Sequence, residues 1–306
     1  MINLNKILFT TDFSECAMQA FPHALYLAER YEAQLIMLHA IVIHRDDPYN
    51  PVYEFPDMKD IESKLRKTAQ ERAQALINKM HTEKVSVITD QVRGFSPADV
   101  ILDYGQDKDV DLIVMGTHGR RGLGHLFLGS VAEEVVRLST CPVLTIRERE
   151  KPQPIEELEK ILFPIDFSNH SSVALGHAKY LAQEYLARLI LLHVVEETVH
   201  PAFYASGKTS IFDLMPDIKD KSTKLMEDFL SKAEGPEVET EMHIVEGNAA
   251  REIVRFVEDQ KIDLIVIATH GLTGMDHFLL GSVTEKVVRR ASCPVFTVKS
   301  FGKLLI

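Results

Sequence analysis

Short apolar runs alternate with amphipathic stretches along this chain, and the whole succession occurs twice. In the first half the runs are residues 6–11 (KILFTT), 34–40 (QLIMLHA), 85–92, 112–115 (LIVM) and 143–146 (VLTI). The fourth, 112–115, is short, half β-branched and apolar throughout, as strands buried on both faces of a parallel sheet are. Between the runs the pattern changes to a helical period. Ser14 caps a helix reaching to about Tyr31, a long helix covers residues 61–80, and another follows Gly94. From Ser130 onward, Val131, Val135 and Leu138 share one face while Glu133, Glu134 and Arg137 point elsewhere, and Ser130 with Glu133 reads as a capping box.

The second half repeats the first. KILFTTDFS at 6–14 returns as KILFPIDFS at 160–168, and QLIMLHA returns as RLILLHV at 188–194. DLIVMGTHG at 111–119 returns as DLIVIATHG at 263–271, and LGSVAEEVVRLSTCPVLTI at 128–146 as LGSVTEKVVRRASCPVFTV at 280–298. Remaining elements are a helix over 220–233 and a strand over 239–245. The duplication predicts two domains in the 306 residues, 1–148 and 160–306, with a charged, proline-bearing linker at 149–159. Strands alternating with helices predict α/β domains, each a parallel sheet with helices on both faces. Ligands of such sheets bind at the carboxyl ends of strands, where strand order reverses. Asp12 and Asp166 stand at the end of the first strand of each half, and glycine-rich loops at the end of the fourth.

Those loops, residues 115–130 and 267–282, carry the candidate chemistry. A glycine-rich turn ending on a helix N-terminus offers unpaired N–H groups and a positive dipole end to an anion, phosphate above all. Glycine suits it by reaching positive φ and by letting the backbone approach the phosphate closely. Arg120 and Arg121 add positive charge in the first loop only, where the second has Leu272 and Thr273. His118 and His270 lie within the loops, with His125 and His277 seven residues on. Phosphate-facing or surface positions suit them better than metal ligation, since the loops gather neither cysteines nor the carboxylates of a closed zinc site. His39 and His193, at the ends of apolar strands, read as satisfied core groups.

Composition narrows the functions. With 45% hydrophobic and 26% charged residues each half can bury its own core, and a formal charge of -11 opposes a non-specific nucleic-acid binder. No apolar run approaches the roughly 18 residues that span a bilayer, and the first residues read as a strand rather than a signal peptide, so the expected location is the cytoplasm, away from membranes. Three cysteines make no disulfide framework. Cys141 and Cys293, each before a proline and the last strand, are expected to be buried. Cys16, in the first turn of a helix, is the more reactive candidate. The segments after the second strand diverge between halves, and the longer one, with Phe203, Tyr204, Phe212 and Met215, is expected to pack on its own domain, with a lid or partner surface as the alternative.

With these motifs in hand, each half resembles a universal stress protein domain, and the chain a tandem member of that family. The nucleotide pattern of the family, Gly-x2-Gly-x9-Gly-Ser/Thr, is met by Gly116, Gly119, Gly129 and Ser130, supported by TDFS, LHA and CPV. The resemblance implies Rossmann-like domains with five parallel strands in the order 3-2-1-4-5. In many members it implies bound ATP, with AMP or ADP as alternatives and Mg2+ on the phosphates, and at most slow hydrolysis or autophosphorylation. Asp12 and the Ala40 backbone are then expected to hold ribose and adenine, with Thr11 beside them. Met115 and Gly116 line the ribose side, and His118, Gly119, Arg120, Gly129, Ser130 and Val131 surround the phosphates.

The corresponding second-half set is Asp166, Val194, Ile267, Ala268, His270, Gly271, Gly281, Ser282, Val283 and Thr284. It departs from the pattern at Ala268, where the first half has Gly116, and has Ile165 where the first has Thr11. Thr284 adds a hydroxyl where the first half has Ala132. Family likeness also implies pairing of residues 143–146 with 295–298 as an internal pseudo-dimer, and homodimers of the chain. The functional expectation is a stress-response or signalling module that binds adenine nucleotide. The alternatives are a nucleotide-free interaction scaffold and an ATP-using enzyme of related fold. The signature loops of adenylating ligases and class I synthetases are absent.

Overall fold

The structure, a computed structural model, describes residues 2–42, 58–80, 84–119, 128–148, 158–196, 210–270 and 280–306. It divides into two compact units, Leu4–Pro154 and Ile155–Ile306, the latter including Met1–Asn3. That assignment moves the first residues away from the half in which they begin. Asn3 N–H donates to Leu305 O at 2.7 Å and Ile2 N–H to Glu184 Oε1 at 2.8 Å, so the second unit holds them.

In the first unit β1 (Lys6–Thr10), α1 (Glu15–Arg30), β2 (Gln34–Val42), α2 (Met58–Lys79), β3 (Val87–Gly94), α3 (Pro97–Asp107), β4 (Leu112–Gly116), α4 (Ser130–Leu138) and β5 (Val143–Ile146) follow in chain order. Every strand pairing among them is parallel and the order is β3-β2-β1-β4-β5. The second unit contains β6 (Lys160–Ile165), α5 (Asn169–Tyr185), β7 (Arg188–Val195), the single turn α6 (Ile211–Leu214), α7 (Ile218–Lys232), β8 (Thr240–Glu246), α8 (Ala249–Gln260), β9 (Leu264–Ala268), α9 (Ser282–Arg290) and β10 (Val295–Val298). Its order is β8-β7-β6-β9-β10, again parallel. Both units are therefore Rossmann-like, and strand order reverses beside β1 and β6.

The central strands are apolar on both faces because helices cover both. Ile7, Leu8, Phe9, Leu112, Ile113 and Val114 are at most 1% exposed, and Ile161, Leu162, Phe163 and Leu264 likewise. α1 contributes Ala17, Ala20, Phe21, Ala24 and Ala28 to this core, with the Phe21 ring 5.1 Å from that of Phe9. Their spacing by three and four keeps them on one helix face, and alanine lets the helix lie close to the sheet. At the amino ends of the strands one carboxylate sets the register: Asp111 Oδ2 accepts from the Asn5 and Lys6 amides, each at 2.7 Å. Asp263 does the same for Glu159 and Lys160. The aspartate that opens each DLIV run is thus structural, at the opposite end of the strand from the glycine loop.

Candidate functional site

At its carboxyl end β1 gives way to a tight turn. Thr11 Oγ1 accepts from Phe13 N at 2.9 Å, Asp12 Oδ1 accepts from Ser14 N at 2.9 Å, and Ser14 Oγ caps α1 by accepting from Ala17 N. Asp12 lies against the first glycine loop, since a Cβ built on Gly119 would fall 2.7 Å from Asp12 Oδ2. The aspartate and the loop therefore meet at the carboxyl ends of β1 and β4, where topology places a ligand. Gly271, the second-half counterpart of Gly119, lies outside the described residues, as do Arg120, Arg121, His125 and His277.

The helix that closes each loop starts one residue earlier than the sequence suggests. Gly129 is the N-cap of α4 and Gly281 that of α9, neither cap is made by a side chain, and Ser130 and Ser282 are the first helical residues. The capping box expected of Ser130 and Glu133 is absent for that reason. Gly129 N–H donates to Thr117 O and Gly281 N–H to Thr269 O, both at 2.9 Å. The first bonds of the two helices are Glu133 N to Gly129 O and Glu285 N to Gly281 O. The amides of Ser130, Val131 and Ala132, and of Ser282, Val283 and Thr284, precede the intrahelical ladder and form the anion-ready end.

The described loop glycines Gly116, Gly129 and Gly281 are needed for contact distance, not for left-handed backbone. Gly129 has φ -64 and Gly281 φ -59, and among described glycines only Gly235 and Gly247 have positive φ. A Cβ on Gly129 would lie 3.0 Å from Thr117 O, one on Gly281 3.1 Å from Thr269 O, and one on Gly116 2.9 Å from Cys16 Sγ. The expectation of positive φ is corrected for these described glycines; Gly122, Gly124, Gly271 and Gly274 lie outside the described residues.

The remaining wall is a strand end. Pairing of β1 with β2 stops at Thr10 and Leu38, apart from Thr11 N–H donating to Leu38 O, yet β2 runs on to Val42. Backbone groups alternate sides along a strand, so those of Ala40 point the same way as those of Leu38, toward the crevice. Val194 stands equivalently on β7, which outruns its last partner Ile165. Both residues are half-buried, and both offer an amide edge for a planar base.

Several expected residues play other parts. Met115 and Ile267 are 4% and 5% exposed, so their side chains belong to the core and only their backbones reach the strand ends. Thr284 is buried and gives its hydroxyl to Ala268 O at 2.8 Å, which turns it away from the crevice. Cys16 is buried beside Ile146 O, and burial pushes its thiol above the usual range, opposite to the reactivity expected of a first-turn cysteine. Cys141 and Cys293 are buried as expected. His118 Nδ1 and His270 Nδ1 pair with the hydroxyls of Thr117 and Thr269, at 2.8 and 2.9 Å. No three metal-ligating groups converge among the described residues. Two hollows of about 370 Å3 open at the amino ends of the strands, one beside Glu29, Gln34 and Lys84, the other beside Lys160, Arg188 and Glu239. They are remote from Asp12, Asp166 and the glycine loops, and their charged, open walls offer no enclosed site.

The second crevice differs in its fittings. Asp166 Oδ1 accepts from Ser168 N at 3.0 Å, Ser168 Oγ at 2.7 Å and Ser171 Oγ at 2.5 Å. Ala268 puts a methyl where Gly116 has none, and His170 replaces Cys16. The His170 ring packs 5.7 Å from that of His270, with Nδ1 2.5 Å from Ser300 Oγ. Sequence reasoning missed the phenylalanines of the turns. Phe13 and Phe167 take φ 61 and 62, and their only advance signal was the DFS repeated in both halves.

Comparison with known proteins agrees with this architecture. Residues 3–147 and 157–299 each match the universal stress protein family. Universal stress protein MJ0531 of Methanocaldococcus jannaschii is 37% identical over 143 residues, covering 46% of this chain and 82% of the relative. Universal stress protein Slr1230 of Synechocystis is 27% identical over 313 residues, covering 97% of this chain and all of the relative. A universal stress protein structure from Archaeoglobus fulgidus superposes with a TM-score of 0.69 at 21% identity, covering 96% of this chain and 98% of that one, a likeness of fold. The chain belongs to the universal stress protein family, with the family's domain present twice.

Proposed function

We propose that each domain binds one adenine nucleotide at the carboxyl ends of its strands, ATP ahead of ADP or AMP, and that the chain acts as a stress-response or signalling module whose nucleotide state sets its conformation or partners. The observation that carries this reading is the meeting of Asp12 with Gly119 beside an α4 N-terminus whose leading amides precede the helical ladder. A carboxylate, a close-approach glycine and a row of amide donors suit sugar hydroxyls and phosphate together.

Asp12 accepts from the ribose hydroxyls, and the Ala40 backbone reads the edge of the base. The amides of Ser130, Val131 and Ala132 hold the phosphates, and Gly119 and Gly129 let them come close. Magnesium, when bound, neutralises phosphate charge and is carried by the nucleotide. The arrangement supplies positioning and charge, so hydrolysis is slow at most. The second crevice holds nucleotide more weakly, because Asp166 already serves three donors of its own turn.

Mass analysis of nucleotide released from the purified chain, with a thermal shift on ATP addition, tests this. Adenine nucleotide approaching two per chain is expected. Nucleotide-free protein whose melting ignores added ATP contradicts it.

A further inference from the structure

At the end of β1 and of β6 the chain takes a conformation that a phenylalanine should avoid. Phe13 and Phe167 lie in the left-handed region, at φ 61 and 62. Outside helix C-termini such a conformation is uncommon for a bulky residue, and a turn that holds one needs support from its surroundings. Around Phe13 the device is an imidazole. The His39 ring lies 4.9 Å from the Phe13 ring at 44°, and His39 Nδ1 is 2.7 Å from Thr11 O. A carbonyl oxygen can only accept, so Nδ1 carries the proton.

The second unit repeats the arrangement independently. His193 lies 4.7 Å from the Phe167 ring, and its Nδ1 is 3.1 Å from Ile165 O. Position 165 has no hydroxyl to accept the Phe167 amide as Thr11 does for Phe13, so the threonine is dispensable and the histidine is the shared part. The turn it holds is the one that aims the aspartate: Asp12 Oδ1 receives the Ser14 amide while Oδ2 faces Gly119.

We infer that His39 and His193 are positioning residues for the two nucleotide sites, each clamping a strained phenylalanine by its ring and the preceding carbonyl by its Nδ1–H. This rests on the nucleotide reading above for its functional consequence, though not for its geometry. The imidazole acts through the turn that it holds. It keeps the aspartate oriented before one arrives, which is preorganisation. Without the Nδ1–H donor the turn relaxes toward ordinary backbone, and the carboxylate swings from the loop.

Two variants separate positioning from packing. His39→Phe keeps a flat ring and removes the donor, whereas His39→Asn keeps an amide donor near Nδ1 and removes most of the ring. Both are made in a chain whose second crevice is closed by Gly281→Asp. ATP affinity is measured by calorimetry, and amide exchange at Ser14, relative to Phe9 in the core, is measured without nucleotide.

His39→Phe is expected to lower affinity about tenfold and to speed Ser14 exchange by a similar factor while Phe9 stays protected, and His39→Asn to restore both to within about threefold. Wild-type affinity and exchange in His39→Phe overturn the inference, because a ring without the donor then suffices, and so does His39→Asn as damaged as His39→Phe, because an amide donor then fails to hold the turn. If the parent chain takes up no ATP, the nucleotide reading fails, and Ser14 exchange alone decides whether the imidazole holds the turn.

Discussion

The two crevices have one backbone plan and different fittings, and the difference separates what the fold demands from what a ligand would. Gly116 leaves no room for a methyl because Cys16 Sγ, Cys16 C and Ala17 N stand 2.9 to 3.1 Å from where it would be. Ala268 fits in the second unit, where His170 turns to Ser300 and His270. By the correspondence of the two units, the Ala268 methyl is expected on the side of α5, where His170 stands in place of Cys16. Thr284 is part of the same adjustment, tying α9 to Ala268 O where Ala132 makes no such bond. The shared features are Asp12 and Asp166, Gly129 and Gly281, and the strained phenylalanines. The aspartates and the cap glycines are the parts that the nucleotide reading needs.

The strongest way to break the symmetry is Gly129→Asp. The new side chain meets Thr117 O and brings a negative charge to an anion site, so first-site ATP affinity should fall more than about 100-fold, with the second site unchanged by calorimetry. Removing the aspartates comes next. Asp12→Ala should weaken the first site about tenfold by losing a charge-assisted bond, with little change in melting. Asp166→Ala should destabilise its own unit by about 2 kcal/mol in chemical denaturation, because it strands Ser168 and Ser171.

Exchanging the packing pair follows. Gly116→Ala alone should cost about 1–3 kcal/mol in the first unit through overpacking, and adding Cys16→His should recover part of that. If the single change is neutral, the paired-exchange account is wrong.

A pH effect belongs to the second unit. His177 is fully buried, with Nδ1 3.1 Å from Val173 O and Nε2 accepting from Leu305 N at 3.1 Å, and burial holds its pKa below the usual histidine value. The unfolded chain therefore takes up a proton first. Stability from this group is present above the unfolded pKa near 6.5 and is lost as pH falls through that value toward the lower folded pKa. His177→Gln should flatten the acid limb of a stability-against-pH curve. The smallest effect is Thr284→Val, about 1 kcal/mol of stability with ATP affinity unchanged, since its hydroxyl faces inward.

The central strands were legible because continuous apolar runs between turn residues leave little choice, whereas β3 is a mixed, partly exposed sequence and lies two residues later than expected. β5 and β10 have the bounds that their sequences predict, and β2 continues two residues past Ala40. Strand order was legible through family resemblance, since periodicity does not choose neighbours. The helix start at Ser130 was misread because a serine before an apolar face looks like a cap, and only the close approach of Gly129 to Thr117 O makes the glycine the boundary. Thr284 looked like a ligand because position in the first turn does not reveal rotamer. The αL phenylalanines were invisible because nothing in an aromatic residue advertises positive φ, and the histidine clamp is made by residues far apart in sequence.

Calorimetric titration of ATP into the nucleotide-stripped chain and into Gly129→Asp tests the central claim most directly. The account predicts two binding events in the parent chain, the tighter one lost in the variant and the weaker retained. Identical isotherms for the two proteins, or no heat of binding from either, would contradict it.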